Sequence, residues 1–550
     1  MFCYQCEQTA KGMGCTVYGV CGKDPQTAAL QDLLVYALEG LAMYSHRARQ
    51  LRVTDRGADV FVLEALFATL TNVNFDPERI RELVMIACEL REKMRTAYED
   101  AARKGGHSPE SLGGPAAFEP ADSLTDLVDQ GEGVSVSARK ARLGDDVTGL
   151  EELLMYGLKG MAAYAYHAQL LGFEDEDVYA FFHAALDYLT QEERHAASDL
   201  LAWCLRCGEV NLRTMELLDA AHTSHFGDPE PTQVRIEPVK GKAILVSGHD
   251  LLDLEALLKQ TEGKGIGVYT HGEMLPAHAY PGLKKYKHLV GNYGSAWQLQ
   301  HEEFAEFPGA ILMTTNCLQA PKESYKGRLF TTSVVGWPGV KHVTERNFAP
   351  VIEAARAAEG FEEDGPDRKI LVGFGHAAAL SAADHIVELV KSEKIRRFFL
   401  IGGCDGAKPG RSYFTDFARA TPEDTVILTL ACGKYRFNKL DFGEIDGIPR
   451  LLDVGQCNDA YSAIRIALGL AEALGTDVNG LPLSFIVSWF EQKAVAILLT
   501  LLHLGIRDIR LGPSLPAFLT PAVLGVLQDK YNIMPVTTPE KDLEATLGSP

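Results

Sequence analysis

In the first part of the chain apolar residues recur at steps of three and four, as helices with one buried face require. Leu30 to Ala48 (LQDLLVYALEGLAMYSHRA) can be laid on Leu150 to Ala168 (LEELLMYGLKGMAAYAYHA) without a gap, and nine of nineteen positions coincide. A weaker echo, Asp59–Thr71 against Asp177–Thr190, needs a one-residue gap. The pattern predicts two related helical bundles packed together, built by duplication. Its Tyr and Gly stripes read as core packing, with no chemistry assigned. Gly105 to Gly144, rich in Gly, Pro, Ser and Asp, reads as loop or connector. Past Phe226-Gly227-Asp228-Pro229-Glu230-Pro231 the period changes. Short β-rich runs then alternate with helices such as Leu251–Thr261 and Pro350–Ala358, the α/β signature. A second break falls at Gly360 to Pro366, after which strand Lys369–Val372, helix Ala377–Lys391 and strand Phe398–Ile401 restart the alternation. The expected fold is therefore multidomain, α and α/β. A helical domain (1–230) precedes two Rossmann-like α/β domains (231–365 and 366–550).

Composition narrows the class of protein. A net charge of −21 repels nucleic acid and anionic membrane, so neither is expected as a partner. The longest apolar run, Ala494 to Ile506, is interrupted by Thr500 and His503; it is too short to span a bilayer and predicts a buried core helix. The first residues show neither a basic nor an apolar signal segment, and a cytoplasmic location is expected. Eleven cysteines in such a chain point to metal binding or redox chemistry ahead of disulfides.

Two groups of residues carry that chemistry. Cys3, Cys6, Cys15 and Cys21 follow the spacing C-x2-C-x8-C-x5-C, with glycines between them. Four thiolates within nineteen residues can surround one metal centre unaided; taken alone, the segment fits an iron–sulfur cluster and a structural zinc site equally. The second group is scattered. Seven apolar runs each end in a turn bearing a metal-capable side chain: His249, Glu273, Cys317, Cys404, Cys432, Cys457 and Glu491. Open α/β sheets bind ligands outside the carboxyl ends of their strands, so repeated placement there suggests one shared site. Singly, each residue is more often packed core, and Gly248-His249-Asp250 could be no more than a helix-capping turn. Thiolates favour soft metals and carboxylates hard ones; an iron site accepts both, whereas a structural zinc site has no use for the mixture. Cys204 and Cys207 lie in a helical stretch with no βαβ context and, like Cys88, read as structural. Gly373-Phe374-Gly375-His376 lacks the third glycine and acidic partner of a dinucleotide loop.

Together these motifs resemble the hybrid cluster protein family, also called prismane protein or hydroxylamine reductase. The resemblance rests on the cysteine quartet, Ser247-Gly248-His249-Asp250, Tyr269-Thr270-His271-Gly272-Glu273-Met274, Thr315-Asn316-Cys317, Gly403-Cys404-Asp405-Gly406, Cys432-Gly433-Lys434-Tyr435, Gly455-Gln456-Cys457-Asn458-Asp459 and Trp489-Phe490-Glu491-Gln492-Lys493. It runs essentially from end to end. The resemblance implies a [4Fe-4S] cluster on the quartet, whose short spacing matches that branch of the family. It also implies a hybrid iron–sulfur–oxygen cluster (4Fe-2O-2S type) between the domains, held by the seven strand-end residues, with Cys404 as a persulfide. The implied activity is reduction of hydroxylamine to ammonia and water, with electrons supplied by a redox protein. Alternatives within the family are nitric oxide reduction and protein S-nitrosylation; a non-enzymatic carrier or sensor would need the quartet alone. Nickel–iron carbon monoxide dehydrogenases share the general architecture, but their cluster is not expected to need two carboxylates. Glu491 and Lys493, two residues apart, would face one way on an extended segment and diverge on a helix. Lys493 is the expected proton donor to substrate or supporting partner of the ligand Glu491, the alternative being an ordinary ion pair, and Glu491, Lys493 and Cys404 are the expected catalytic residues.

Overall fold

The computed structural model describes residues 1–408 and 410–548. The helical part begins with α1 (Pro25–Gln50), α2 (Arg56–Ala68) and α3 (Pro77–Lys104). Asp24 starts α1 by accepting the Thr27 amide at 2.6 Å, with Pro25 in the first turn where its missing N–H costs nothing. The expected connector is in fact helical over α4 (Leu124–Gly133) and α5 (Val136–Leu143). Its serines are caps: Ser123 and Ser135 accept amides of Asp126 and Ala138, and Leu127 and Val136 are buried. Composition alone hid that capping pattern. The second half of the repeat follows as α6 (Asp145–Leu170) and α7 (Glu176–Leu189), then α8 (Ala197–Phe226).

The two repeats are not separate bundles. α1 packs on α3 and α7, whereas α6 packs on α8 and α2, so each repeat lends its second helix to the other. Buried polar ties hold the exchange. Asp59 of α2 accepts from His183 of α7 at 2.8 Å and pairs with Arg49 of α1, while Arg47 meets Asp187 of α7 at 2.6 Å. Periodicity identifies a buried face but does not say which helix covers it.

Beyond Phe226 lie two six-stranded sheets, each parallel throughout. The first contains β2 (Lys242–Ser247), β3 (Ile266–His271), β4 (Leu289–Asn292), β5 (Ala310–Met313), β6 (Leu329–Thr332) and β7 (Lys341–Val343), in spatial order β4-β3-β2-β5-β6-β7. The second contains β9 (Arg397–Gly402), β10 (Thr425–Leu430), β13 (Leu451–Gly455), β14 (Leu483–Val487), β15 (Ile509–Leu511) and β16 (Met534–Pro535), ordered β13-β10-β9-β14-β15-β16. The strands between these, β11 (Glu444–Ile445) and β12 (Ile448–Pro449), form a small hairpin. Counted within each sheet, both orders are 3-2-1-4-5-6, the doubly wound arrangement whose binding crevice opens where the order reverses. Those reversals fall between β2 and β5 and between β9 and β14.

One strand departs from expectation. β8 (Lys369–Val372) does not open the second sheet; it pairs antiparallel with β1 (Thr232–Arg235). Ile370 and Val372 bury against Val234, Leu275 and Ala279 in a small core of their own. The expected helix Ala377–Lys391 is broken at Ala382 into His376–Ser381 and Ala383–Lys391. The apolar run near residue 500 forms the buried helix Gln492–His503, which lies against α6 and α8. No described helix is long and apolar enough to cross a membrane.

Candidate metal centre

The N-terminal quartet is folded by its own backbone. Cys3 and Cys15 exchange two amide–carbonyl hydrogen bonds of 3.0 and 2.8 Å, closing the loop between them. Gly19 lets that loop close on the thiols: a Cβ there would sit 3.1 Å from Cys21 Sγ. Burial pushes the Cys6 thiol well up, and Cys21 and Cys3 push it further. Burial also raises Cys21, against the opposing pull of Lys23. Four unbridged thiols within electrostatic reach of one another suit a metal centre.

The seven scattered residues meet at the two topological crevices. Three follow strands of the first sheet: His249 after β2, Glu273 after β3 and Cys317 after β5. Four follow strands of the second: Cys404 after β9, Cys432 after β10, Cys457 after β13 and Glu491 after β14. All seven are buried. His249, Glu273 and Cys457 place ligand-capable atoms within 4.8 Å of one another. The Cys457 amide donates to Glu273 Oε2 at 2.7 Å, tying the two sheets at the site itself. The Tyr435 hydroxyl makes a second tie, to the Gly272 carbonyl at 2.8 Å.

The turns are built for close approach. Gly403 has φ +97°, and a Cβ there would overlap the Ser488 carbonyl. That lets β9 and β14 end side by side, with Ser488 Oγ accepting the Asp405 amide at 2.9 Å. Glu491 ends the β14 turn in extended conformation and caps the helix Gln492–His503, accepting the Lys493 amide at 2.9 Å. Neither a strand nor a plain helix therefore describes the Glu491–Lys493 pair. A cap residue followed by the first helical turn brings both side chains to the site, and Lys493 Nζ lies 3.0 Å from His249 Nε2, 3.2 Å from Asn316 Oδ1 and 3.9 Å from Glu491 Oε1. Their neighbours turn the other way. Phe490 accepts the Glu7 amide at 2.9 Å, and Gln492 donates to the Gln5 carbonyl at 2.8 Å. Phe490 also stacks on Trp297 with centroids 4.0 Å apart. One short segment thus touches both groups of candidate ligands.

Electrostatics define what the site lacks. Burial pushes Cys404, Cys432 and Cys457 far up, and the charges of Glu273, Glu491 and the other thiols add to it. Burial likewise raises Cys317 and Glu491. Burial pulls Lys493 down, but Cys457, Glu491, Cys317 and Glu273 outweigh it and keep the ammonium charged. Burial, then Lys493, hold His249 well below its usual value, leaving a neutral imidazole. Deprotonated together, these six acidic groups would have one ammonium among them out of water, so their ionised form needs further positive charge. Glu273 Oε1 is buried with no hydrogen-bond partner among the described residues. The donor set fits a multi-metal centre.

A cavity of about 420 Å³ leads to this place, reaching Cys404, Cys457, Glu491 and Lys493. Its walls are mainly aliphatic, among them Ala463, Ile464, Ala467, Leu498 and Leu501. Sequence reasoning missed two side chains that face the centre from α6, Tyr164 and His167. Tyr164 is fully buried, and among the described residues neither its hydroxyl nor His167 Nε2 has a hydrogen-bond partner. Their only signal was membership of the duplicated helix, which had been read as core. Cys204 and Cys207 are fully buried on α8 and Cys88 is buried on α3.

Paired doubly wound sheets with cysteines and carboxylates at their crevices, behind a helical region, define a metal-cluster protein. The sequence pattern of the Prismane/CO dehydrogenase family matches residues 1–544, and the chain belongs to that family. It is 57% identical over 548 residues to a hydroxylamine reductase of Syntrophobacter fumaroxidans and 57% identical over 554 to one of Thermodesulfovibrio yellowstonii, with all of each chain covered. Among solved structures, it resembles a carbon monoxide dehydrogenase from a Thermococcus species (TM-score 0.55, 18% identity), covering 99% of this chain and 90% of that one. Carbon Monoxide Dehydrogenase IV from Carboxydothermus hydrogenoformans gives 0.56 at 17% identity, covering 97% and 89%. These structures share the fold.

Proposed function

We propose that the chain is an iron–sulfur oxidoreductase that reduces hydroxylamine to ammonia and water. The observation that carries this reading is the meeting of His249, Glu273, Cys317, Cys404, Cys432, Cys457 and Glu491 at one buried place with an apolar approach. The full-length relatives named hydroxylamine reductase support it. On this reading the seven residues hold the hybrid cluster, with Cys404 as its persulfide, and Cys3, Cys6, Cys15 and Cys21 hold a [4Fe-4S] cluster. The helical unit (1–230) and the α/β units (231–365 and 366–550) then enclose the hybrid centre. When bound, the clusters supply the two electrons and an iron open to the substrate.

The chain's own residues do the rest. The aliphatic cavity passes small uncharged molecules and holds back bulk water. Lys493, kept charged by its anionic neighbours, is a proton donor 3.9 Å from Glu491. The Trp297–Phe490 pair and Gln492 join the quartet's loop to the second centre. Electrons enter from a redox protein, and the acidic surface favours a donor with a basic face. The location proposed is the cytoplasm. A second reading, nitric oxide reduction at the same centre, is favoured by the apolar walls of the cavity, which suit a nonpolar diatomic gas.

Anaerobic purification with iron, sulfide and EPR measurement, on wild type and Cys404→Ala, tests the proposal. Expected are about eight irons per chain, if both centres hold four, and a second EPR signal lost in the variant. About four irons and an unaltered variant would leave only the quartet's cluster, and with it a carrier or sensor. Lys493→Met is expected to lower hydroxylamine turnover about 100-fold with iron content unchanged. Unchanged turnover would remove Lys493 from the chemistry.

A further inference from the structure

Helix α6 belongs to the duplicated helical region, yet one face of it reaches the second centre. Gly160 makes this possible. A Cβ at that position would overlap the Gln492 carbonyl oxygen and come within 2.9 Å of Lys493 Cα, so α6 lies in backbone contact with the segment that presents Glu491 and Lys493. Residues one and two turns further along the same face are Tyr164 and His167.

Tyr164 is fully buried, and its hydroxyl has no hydrogen-bond partner among the described residues. The charged groups acting most on that hydroxyl are Cys457, Glu491, Cys404 and Glu273, four of the seven candidate ligands. A buried phenol hydroxyl left unpaired costs about 1–3 kcal/mol unless something else accepts from it. A phenylalanine would fill the same space without that cost.

We propose that Tyr164 is a substrate-binding group of the second centre, its hydroxyl donating a hydrogen bond to the oxygen of the bound nitrogen–oxygen compound. This rests on the reading of the site as a reductase centre. The donor adds neither electron nor proton to the reaction: it orients the N–O bond and stabilises charge gathering on the oxygen as that bond breaks. Lys493 and Tyr164 would then both offer hydrogen bonds to that oxygen, one from an ammonium and one from a phenol. Among the seven strand-end residues, none but His249 has a side-chain N–H to offer.

The test compares Tyr164→Phe with wild type, loaded anaerobically, in three measurements. Iron content is expected to be unchanged because the ring still fills its place, and the melting temperature without substrate to be the same or higher because the unpaired hydroxyl is gone. Hydroxylamine kcat should fall about 10- to 100-fold with a much smaller change in KM, as for loss of a transition-state donor. The infrared N–O stretch of nitric oxide bound to the protein should move in the variant, and the shift that D₂O produces in wild type should disappear. An unmoved stretch with undiminished kcat would overturn the proposal, as would a wild-type centre that holds iron but binds no nitric oxide. A wild-type protein with full iron that binds nitric oxide but does not turn over hydroxylamine would sink the reductase reading; the infrared comparison would still decide Tyr164.

Discussion

Helices α1 and α6 are two copies of one pattern with different fates. Each spans 26 residues, and each has a glycine where another backbone must pass. At Gly40 that backbone belongs to Pro115, in the linker to α4; at Gly160 it belongs to Gln492, beside the candidate ligands. Tyr44 packs against Tyr98, whereas its counterpart Tyr164 faces the second centre. The position after one more turn is Arg47 in α1, tied to Asp187, and His167 in α6, turned toward Lys493. The same helical surface occurs twice, and the partner each copy met decided which one lies beside the candidate ligands. Between the copies lies a polar cavity of about 410 Å³ lined by Asp32 and Glu39 of α1, Glu152 and Lys159 of α6, and Arg139 of α5.

The strongest break of this comparison is a methyl group at either glycine. Gly40→Ala and Gly160→Ala should each cost about 1–3 kcal/mol through overpacking. Only Gly160→Ala should also displace Lys493 and lower hydroxylamine turnover about 100-fold, the scale of a misplaced catalytic group. Equal activity losses in the two variants would contradict the division of roles. A finer contrast comes from the tyrosines. Tyr44→Phe should leave kcat and the bound nitric oxide stretch at wild-type values, whereas Tyr164→Phe changes both. The smallest effect concerns the shared cavity. Burial raises Glu39 from its ordinary 4.5 to about 8. Its carboxyl then binds a proton more tightly folded than unfolded, so its contribution to stability falls as pH rises from about 4.5 to about 8 and levels off above. Glu39→Gln should therefore raise the melting temperature near pH 8 and leave it unchanged below about pH 4.5. A gain of the same size at both ends would show that Glu39 does not titrate in this window.

How much of the molecule is legible in its sequence follows the range of the forces involved. The cysteine quartet is closed by contacts within nineteen residues, so its spacing sufficed to pick out a candidate metal-binding loop. The strand-end residues were found because a parallel strand is a short apolar run with a turn behind it, a local signature repeated seven times, five of them with a glycine in the turn. Glu491 and Lys493 were found together, but their geometry was not, because a helix cap combines extended and helical conformation in adjacent residues. The helices α4 and α5 were missed because weak apolar content obscured two serine caps. β8 was assigned to the wrong sheet because an apolar tetrapeptide carries no record of its pairing partner.

Local patterning by itself marked the long helices of the repeat, seven of the twelve strands of the two sheets, the quartet and the set of candidate ligands. Those depend on periodicity, turn residues and donor chemistry, all written within a few residues of one another. Tertiary structure alone decided that the repeats exchange their second helices, that the two crevices share one centre, and that Tyr164 rather than Tyr44 looks into it. Those outcomes depend on which buried surface meets which, and two faces with the same apolar period are interchangeable until packing separates them.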